Sequence, residues 1–156
     1  MNQALLQRLA TLEGESAVRR LMARYMDLCD VPRAPVEARD LAQLFTEDAI
    51  WEGLGTQTAQ TFGQHRGREA IAAFVGGYLP PSDHFQLNLH YLTSESIVVD
   101  GEGAQGQWIM QQISTYADGR NELFGTRLNI DFRCVNGTWL IAHFRTQRLL
   151  NLELRP

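Results

Sequence analysis

From residue 84 onward the apolar pattern changes period, and this change constrains the fold more than any other feature of the chain. Before it, apolar residues recur at helical spacing; after it, runs with strand-like patterning alternate with short turns. The runs are Asn88–Leu92 and Glu95–Val99, then Gln105–Tyr116, Glu122–Val135 and Thr138–Leu149. Between them lie Asp100-Gly101-Glu102-Gly103, Asp118-Gly119 and Asn136-Gly137. Glycine in such pairs supplies the positive φ of a tight hairpin turn, and Asn-Gly is a strong hairpin signal. Helices first, then a meander of long antiparallel strands, predicts an α+β fold. No repeat, low-complexity segment or linker divides residues 1–156, so the chain reads as one domain with its own core.

The helical part ends on a carboxylate. Val18, Leu21, Met22, Tyr25, Leu28 and Cys29 keep one side of a helix apolar, and Leu5, Leu9 and Leu12 carry the spacing back toward the N-terminus. Gly14 weakens that run by up to about 1 kcal/mol relative to alanine, so one bent helix or two consecutive ones fit. Pro32 disfavours helical backbone at Val31, which puts the stop near Asp30. Pro35 suits a first helical position and leads a second helix, Val36–Phe45, broken by Thr46-Glu47-Asp48. Ala49–Gly53 reads as a short strand and Thr56–Gly67 as a polar, glycine-bearing loop. A third helix, Arg68–Tyr78, stops at Pro80-Pro81.

Charge and composition exclude several classes of function. A net charge of −4 without a compensating basic stretch argues against nucleic acid and anionic membrane surfaces as partners. No apolar run approaches the roughly 18 residues needed to cross a bilayer, and the opening residues lack the pattern of a signal peptide. Two cysteines, Cys29 and Cys134, are too few for a disulfide framework or a structural zinc site, which suits a reduced, cytoplasmic setting. Cys29, on the packed helix face, reads as a small hydrophobe. His65, His84, His90 and His143 do not fall at zinc-ligand spacing. No glycine-rich phosphate or dinucleotide motif and no GxSxG elbow occurs, so neither a metal nor a cofactor is expected.

What remains is acid–base chemistry. Asp30 faces the negative pole of the helix dipole, where partial burial would make its carboxylate a stronger base. His90 interrupts an apolar strand between Leu89 and Tyr91. If the two share a pocket, Asp30 can orient the ring while His90 takes a proton from substrate. Equally, Asp30 can be the base and His90 the acid; the sequence does not separate these roles.

The order of features also resembles a known family. Arg24-Tyr25 through Asp30, the run Leu41–Trp51, Gly67-Arg68-Glu69-Ala70-Ile71, His90-Tyr91-Leu92-Thr93 and the close Val135–Ala142 are similar to SnoaL-like proteins of the nuclear transport factor 2-like superfamily. That resemblance implies a cone of N-terminal helices packed on a strongly curved, mixed but mainly antiparallel sheet. Within the superfamily the chain looks most like the Asp/His members: scytalone dehydratase, hexachlorocyclohexane dehydrochlorinase and bile acid 7α-dehydratase. Their catalytic Asp and His fall on Asp30 and His90, and the bile acid enzyme's tyrosine falls on Tyr25. Where the dehydrochlorinase has an arginine this chain has Phe144, flanked by His143 and Arg145; Arg145 would enter the pocket only across a bulge.

The resemblance implies a cofactor-independent lyase, dehydratase-type, acting on a small hydrophobic metabolite, with polycyclic and aromatic compounds among the candidates. Isomerisation of a similar substrate, or a non-catalytic binding or assembly module using the same cavity, are the alternatives. Asp30 and His90 would form the acid–base pair, with Tyr25 as a hydrogen-bond donor. Trp51, Phe74, Trp108, Met110 and Phe132 are expected as cavity walls, because strands send alternate side chains to one face. Trp139 is expected to pack the sheet against a helix. Gln105, Gln107, Gln111 and Gln112 form a polar run that a solvated sheet face would accommodate, as would the contact face of a homo-oligomer, dimer or trimer.

Overall fold

A computed structural model describes residues 2–155. The N-terminal apolar face forms one continuous helix, α1 (Gln3–Cys29), capped by Asn2, whose side chain accepts the Ala4 N–H at 2.9 Å. Gly14 does not break it. A Cβ there would lie 3.0 Å from Val99 and 3.3 Å from the Trp139 ring, so the bare backbone lets α1 settle on the sheet. Leu5, Leu9 and Leu12, before that contact, stay exposed, whereas Val18, Met22, Tyr25, Met26, Leu28 and Cys29 are buried beyond it. Burial of each large apolar side chain contributes about 1.5–3 kcal/mol, which is why the second half of α1 is fixed against the sheet.

α1 ends where Pro32 requires it. Asp30 closes the last turn through its N–H to Met26 O at 2.9 Å, then turns extended. Val31 pairs in an isolated antiparallel bridge with Asn88, through bonds of 2.8 and 2.9 Å.

The second helix is a single turn, α2 (Ala38–Ala42), much shorter than the expected Val36–Phe45. Phe45 instead opens β1 (Phe45–Gly53), which runs parallel to the last strand, with Trp51 opposite Phe144. The Thr46-Glu47-Asp48 segment, expected to be a break, is absorbed by an irregularity inside β1 between Phe45 and Ile50. The stretch expected as loop carries two elements, α3 (Thr56–Phe62) and the short β2 (Gln64–Arg66). Gly55 (φ 77°) and Gly63 (φ 64°) bracket α3 in backbone that other residues rarely adopt. α4 (Arg68–Gly76) follows and ends two residues before the expected Tyr78.

Four long strands complete the chain: β3 (Phe85–Asp100), β4 (Gly103–Tyr116), β5 (Asn121–Val135) and β6 (Thr138–Leu154). The two runs expected before residue 100 are one strand, kinked between Thr93 and Ser96, where Ser94 has φ 52°. The six strands form one open, mixed sheet in the order β2-β1-β6-β5-β4-β3, antiparallel except for β1 with β6. The core lies between this sheet and the helices and includes Phe45, Leu41, Ile71, Leu128, Ile130 and Ile141. Among the described residues no helix is long and apolar enough to cross a membrane.

Candidate functional site

The helix stop and the bridge to β3 together bring Asp30 to His90. Because Val31 is tied to Asn88, Asp30 stands beside the residue two further along β3. Its Oδ1 accepts the backbone N–H of His90 at 3.0 Å and the ring Nδ1–H at 2.8 Å. One carboxylate oxygen therefore holds both the strand and the ring of the same residue. This arrangement fixes the Nδ1–H tautomer and leaves Nε2 with its lone pair. Among the described residues nothing hydrogen-bonds that Nε2.

His90 lines a cavity of about 370 Å³, within the size range of small-molecule sites, whereas Asp30 stands behind the ring and does not line it. The His90 side chain is 9% exposed and that of Asp30 33%. The same cavity has an aromatic wall. Trp51 stacks parallel to Phe144 at 5.4 Å between centroids, and Phe74 meets Trp51 edge-on at 5.0 Å. Tyr25 packs on Phe144 at 5.1 Å, and its hydroxyl accepts the Trp51 Nε1–H at 3.1 Å. Burial, helped by the neighbouring Cys29, holds the Tyr25 hydroxyl well above its ordinary range, so it is a neutral donor. Burial likewise pushes the Cys29 thiol up to about 12, leaving it inert.

Beside His90 the wall is polar. Asn88 and Gln112 line the cavity, and Asn88 Oδ1 accepts from Gln112 Nε2 at 2.9 Å and from Ser114 Oγ at 2.8 Å. Toward the mouth stand Tyr78, His84, Tyr116, Arg120, Glu122 and Arg148. The Tyr116 hydroxyl donates to Glu122 Oε2 at 2.6 Å, and burial followed by this acceptor raises the phenol above its usual range.

The structure brings together Asp30, His90, Tyr25, Trp51, Phe74, Met110 and Phe144, and it corrects other expectations. Trp108 and Phe132 do not line the cavity. They pack against each other at 6.2 Å over Gly106, where a Cβ would lie 2.3 Å from the Trp108 ring, and so fill the core. Arg145 does not enter the pocket either. The nearby irregularities fall at Gly125/Thr126 and Asp131/Phe132, so alternation along β6 keeps Arg145 on the outer face. There it bonds Asp131 and His143, each at 2.8 Å. Gln112 is not part of an outer polar run; it shares the inner face with Met110, two residues away. The polar mouth was missed because its residues are ordinary surface types, although Tyr116, Arg148 and Phe144 fall at even spacing within their strands. Among the described residues no group of three or more His, Cys, Asp or Glu could hold a metal ion.

A mixed sheet covered by helices, enclosing a mainly apolar cavity with a carboxylate-held histidine in its wall, is a nuclear transport factor 2-like architecture. The chain belongs to the SnoaL-like domain family, whose sequence model matches residues 10–145. Solved structures share the fold at low identity. Hexachlorocyclohexane dehydrochlorinase LinA-type3 from Novosphingobium barchaimii LL02 is 17% identical over 96% of this chain and 93% of its own, with a TM-score of 0.75. A candidate scytalone dehydratase from Novosphingobium aromaticivorans is 18% identical over 93% and 90%, with a TM-score of 0.76. A nuclear transport factor 2-like protein with a cystatin-like fold from the same organism is 24% identical over 93% and 88%, with a TM-score of 0.72. No curated protein matches the chain significantly.

Proposed function

We propose that the protein is a cofactor-independent lyase that eliminates water or a similar leaving group from a small hydrophobic metabolite. The observation that carries this reading is the His90 ring, held by Asp30 through Nδ1 and lining the cavity with an Nε2 that no described residue hydrogen-bonds. A substrate carbon bearing a proton next to a carbonyl would sit against Nε2, which takes the proton as general base. The Asp30 carboxylate steadies the imidazolium that forms. The electron pair of the broken C–H bond makes the new C=C bond, and the β-hydroxyl leaves. It receives the proton back from His90, departs as water and returns the ring to its starting state. The neutral Tyr25 hydroxyl, its oxygen already occupied by the Trp51 N–H, has its own proton to offer the substrate carbonyl. The mainly apolar walls keep bulk water from competing. The lyase names carried by two of the structural relatives support the same chemistry.

The test uses 3-hydroxy-1-tetralone, a bicyclic β-hydroxyketone whose dehydration gives 1-naphthol, followed by absorbance. Wild-type protein should form 1-naphthol above the buffer rate, and Asp30→Asn and His90→Ala should each lose it while keeping the circular dichroism spectrum. Deuterium exchange at C2 of 1-tetralone, read by NMR, reports proton removal without a leaving group. Exchange without elimination would assign isomerisation instead; neither reaction, or both surviving the two substitutions, would overturn the assignment.

A further inference from the structure

The cavity wall carries three charged groups that the chemistry at His90 does not use, Arg120, Glu122 and Arg148, and among the described residues only the Arg148 side chain has no hydrogen-bond or ion-pair partner. It lies on β6 two residues beyond Thr146 and four beyond Phe144, on the same inner face, and is paired across the sheet with Thr126. Its guanidinium carbon stands 4.1 Å from the Phe124 ring centroid and 5.7 Å from that of Phe62. Among the described residues no carboxylate lies within 4 Å of it and no side chain or carbonyl accepts from its N–H groups. The half-buried Arg145, on the outer face and paired across the sheet with Asn129, by contrast has Asp131 at 2.8 Å.

An arginine withdrawn from water normally brings its carboxylate with it, because a half-desolvated guanidinium with five unfilled donors is unfavourable. Aromatic faces offset part of this through cation–π attraction, on the order of 0.5–2 kcal/mol, but they fill none of the N–H groups. Burial accordingly works against the charge of Arg148. The acidic group nearest in the mouth is committed elsewhere: Glu122 accepts from Tyr116 at 2.6 Å and from Asn151 at 3.5 Å. Arg120, over the Tyr116 ring at 4.7 Å, is paired with Asp118 at 2.8 Å. The forked donor face of Arg148 is thus available to a ligand, in the geometry that a carboxylate matches bidentately.

We infer that Arg148 anchors a carboxylate on the substrate, at the end remote from the carbon that His90 attacks. His90 is on β3 and Arg148 on β6, three strand spacings apart in the sheet order. At about 4.8 Å per spacing this is about 14 Å along the sheet, shortened across the cavity by the length of both side chains. A ligand touching both has an apolar body of one or two rings between its reacting carbon and its acid group. Phe62 and Phe124, both close to the guanidinium and both lining the cavity, would pack against the ring that carries the acid group. The substrate class is therefore a hydrophobic aryl or bicyclic carboxylic acid. This inference rests on the cavity's being the substrate site, as proposed above, and not on the reaction performed there.

The experiment compares 2-naphthoate with its uncharged analogue 2-naphthamide, by calorimetry and by quenching of the cavity tryptophan, in wild type, Arg148→Met, Arg148→Lys and His90→Ala. Wild type should bind the acid at least tenfold tighter than the amide, with the difference shrinking as salt is raised. Arg148→Met should erase the preference while leaving the amide affinity within twofold, which also shows that the pocket is intact; Arg148→Lys should keep part of it. His90→Ala should retain the preference in full. Equal affinities in wild type, a preference that survives Arg148→Met or disappears in His90→Ala, or no binding of either compound up to millimolar concentration would each overturn the inference. Because no bond is made or broken, loss of elimination with the preference intact would sink the lyase reading alone.

Discussion

The sheet carries two histidine–carboxylate pairs of nearly equal length, and only one of them has a chemical outlet. On the cavity side His90 meets Asp30 at 2.8 Å; on the outer face His143 meets Glu52 at 2.7 Å. The difference lies in the second ring nitrogen. Arg145 stands 2.8 Å from His143 Nδ1, and a guanidinium can only donate, so that nitrogen must accept and Nε2 must carry the proton given to Glu52. Both nitrogens of His143 are spent on the protein. In His90 the carboxylate takes Nδ1–H and the opposite nitrogen faces an open cavity. A histidine–carboxylate contact is thus no sign of catalysis by itself; a free nitrogen aimed at ligand-sized space is what distinguishes the two.

The largest effect expected from this contrast is on turnover. Asp30→Asn and His90→Ala should each lower kcat/KM for 3-hydroxy-1-tetralone by about 10² to 10⁴, the usual contribution of a positioned general base. His143→Ala and Glu52→Gln, which remove an equally short pair, should leave it within about twofold. The tautomers sharpen the same point. Nitrogen-15 NMR should find His90 protonated on Nδ1 and His143 on Nε2 at neutral pH, and the same tautomer in both would break the comparison.

A smaller effect is expected beside the free nitrogen. Tyr25→Phe removes the acceptor of the buried Trp51 N–H, an unpaired group that costs about 1–3 kcal/mol. The melting temperature should fall by several degrees, and by less when the change is made in a Trp51→Phe background, where no N–H is left behind. If Tyr25 also serves the substrate carbonyl, kcat should fall beyond what partial unfolding explains. A shift in KM alone would reduce Tyr25 to a wall.

These contrasts also mark where sequence reasoning reached and where it stopped. Asp30 and His90 were legible as candidates, because Pro32 ends the helix on the carboxylate and a histidine interrupts an apolar strand, but their pairing followed only from the resemblance to the Asp/His proteins. Three of the four long strands were legible from their Asp-Gly and Asn-Gly turns, whereas β3 read as two runs because its irregularity near Ser94 interrupts the pattern. Period gives the face of a strand but not the depth along it, so Trp108 and Phe132 share a face with Met110 yet fill the core beyond the cavity. Arg145 is one residue from Phe144, and parity alone places it outside. α3 had no apolar period to betray it; it is held by tertiary contacts, among them the backbone N–H of Arg148 donating to the buried Thr58 hydroxyl at 3.0 Å. Of the mouth residues, Tyr116, Glu122 and Arg148 come from β4, β5 and β6, Arg120 from the turn before β5, and Tyr78 and His84 from the segment between α4 and β3, so only the assembled fold brings them together.

The smallest effect belongs to the outer pair, and its sign follows from Glu52. Burial pushes this carboxyl up, but the Gln64 amide, the His143 ring and the charge of nearby Arg145 together hold it below its ordinary value of 4.5. A carboxyl lowered in the folded state stabilises the protein above its unfolded value and loses that contribution as pH falls through the folded one. The pair is partly exposed, the two side chains being 20% and 22% accessible, so its worth is about 1 kcal/mol or less. Glu52→Gln keeps the shape and removes the charge. Calorimetry should therefore show it melting slightly below wild type at pH 7, with the gap closing below about pH 4.5. A gap that persists unchanged into acid would mean that the pair contributes packing and not charge. The outer histidine would then differ from His90 in more than the use of its second nitrogen.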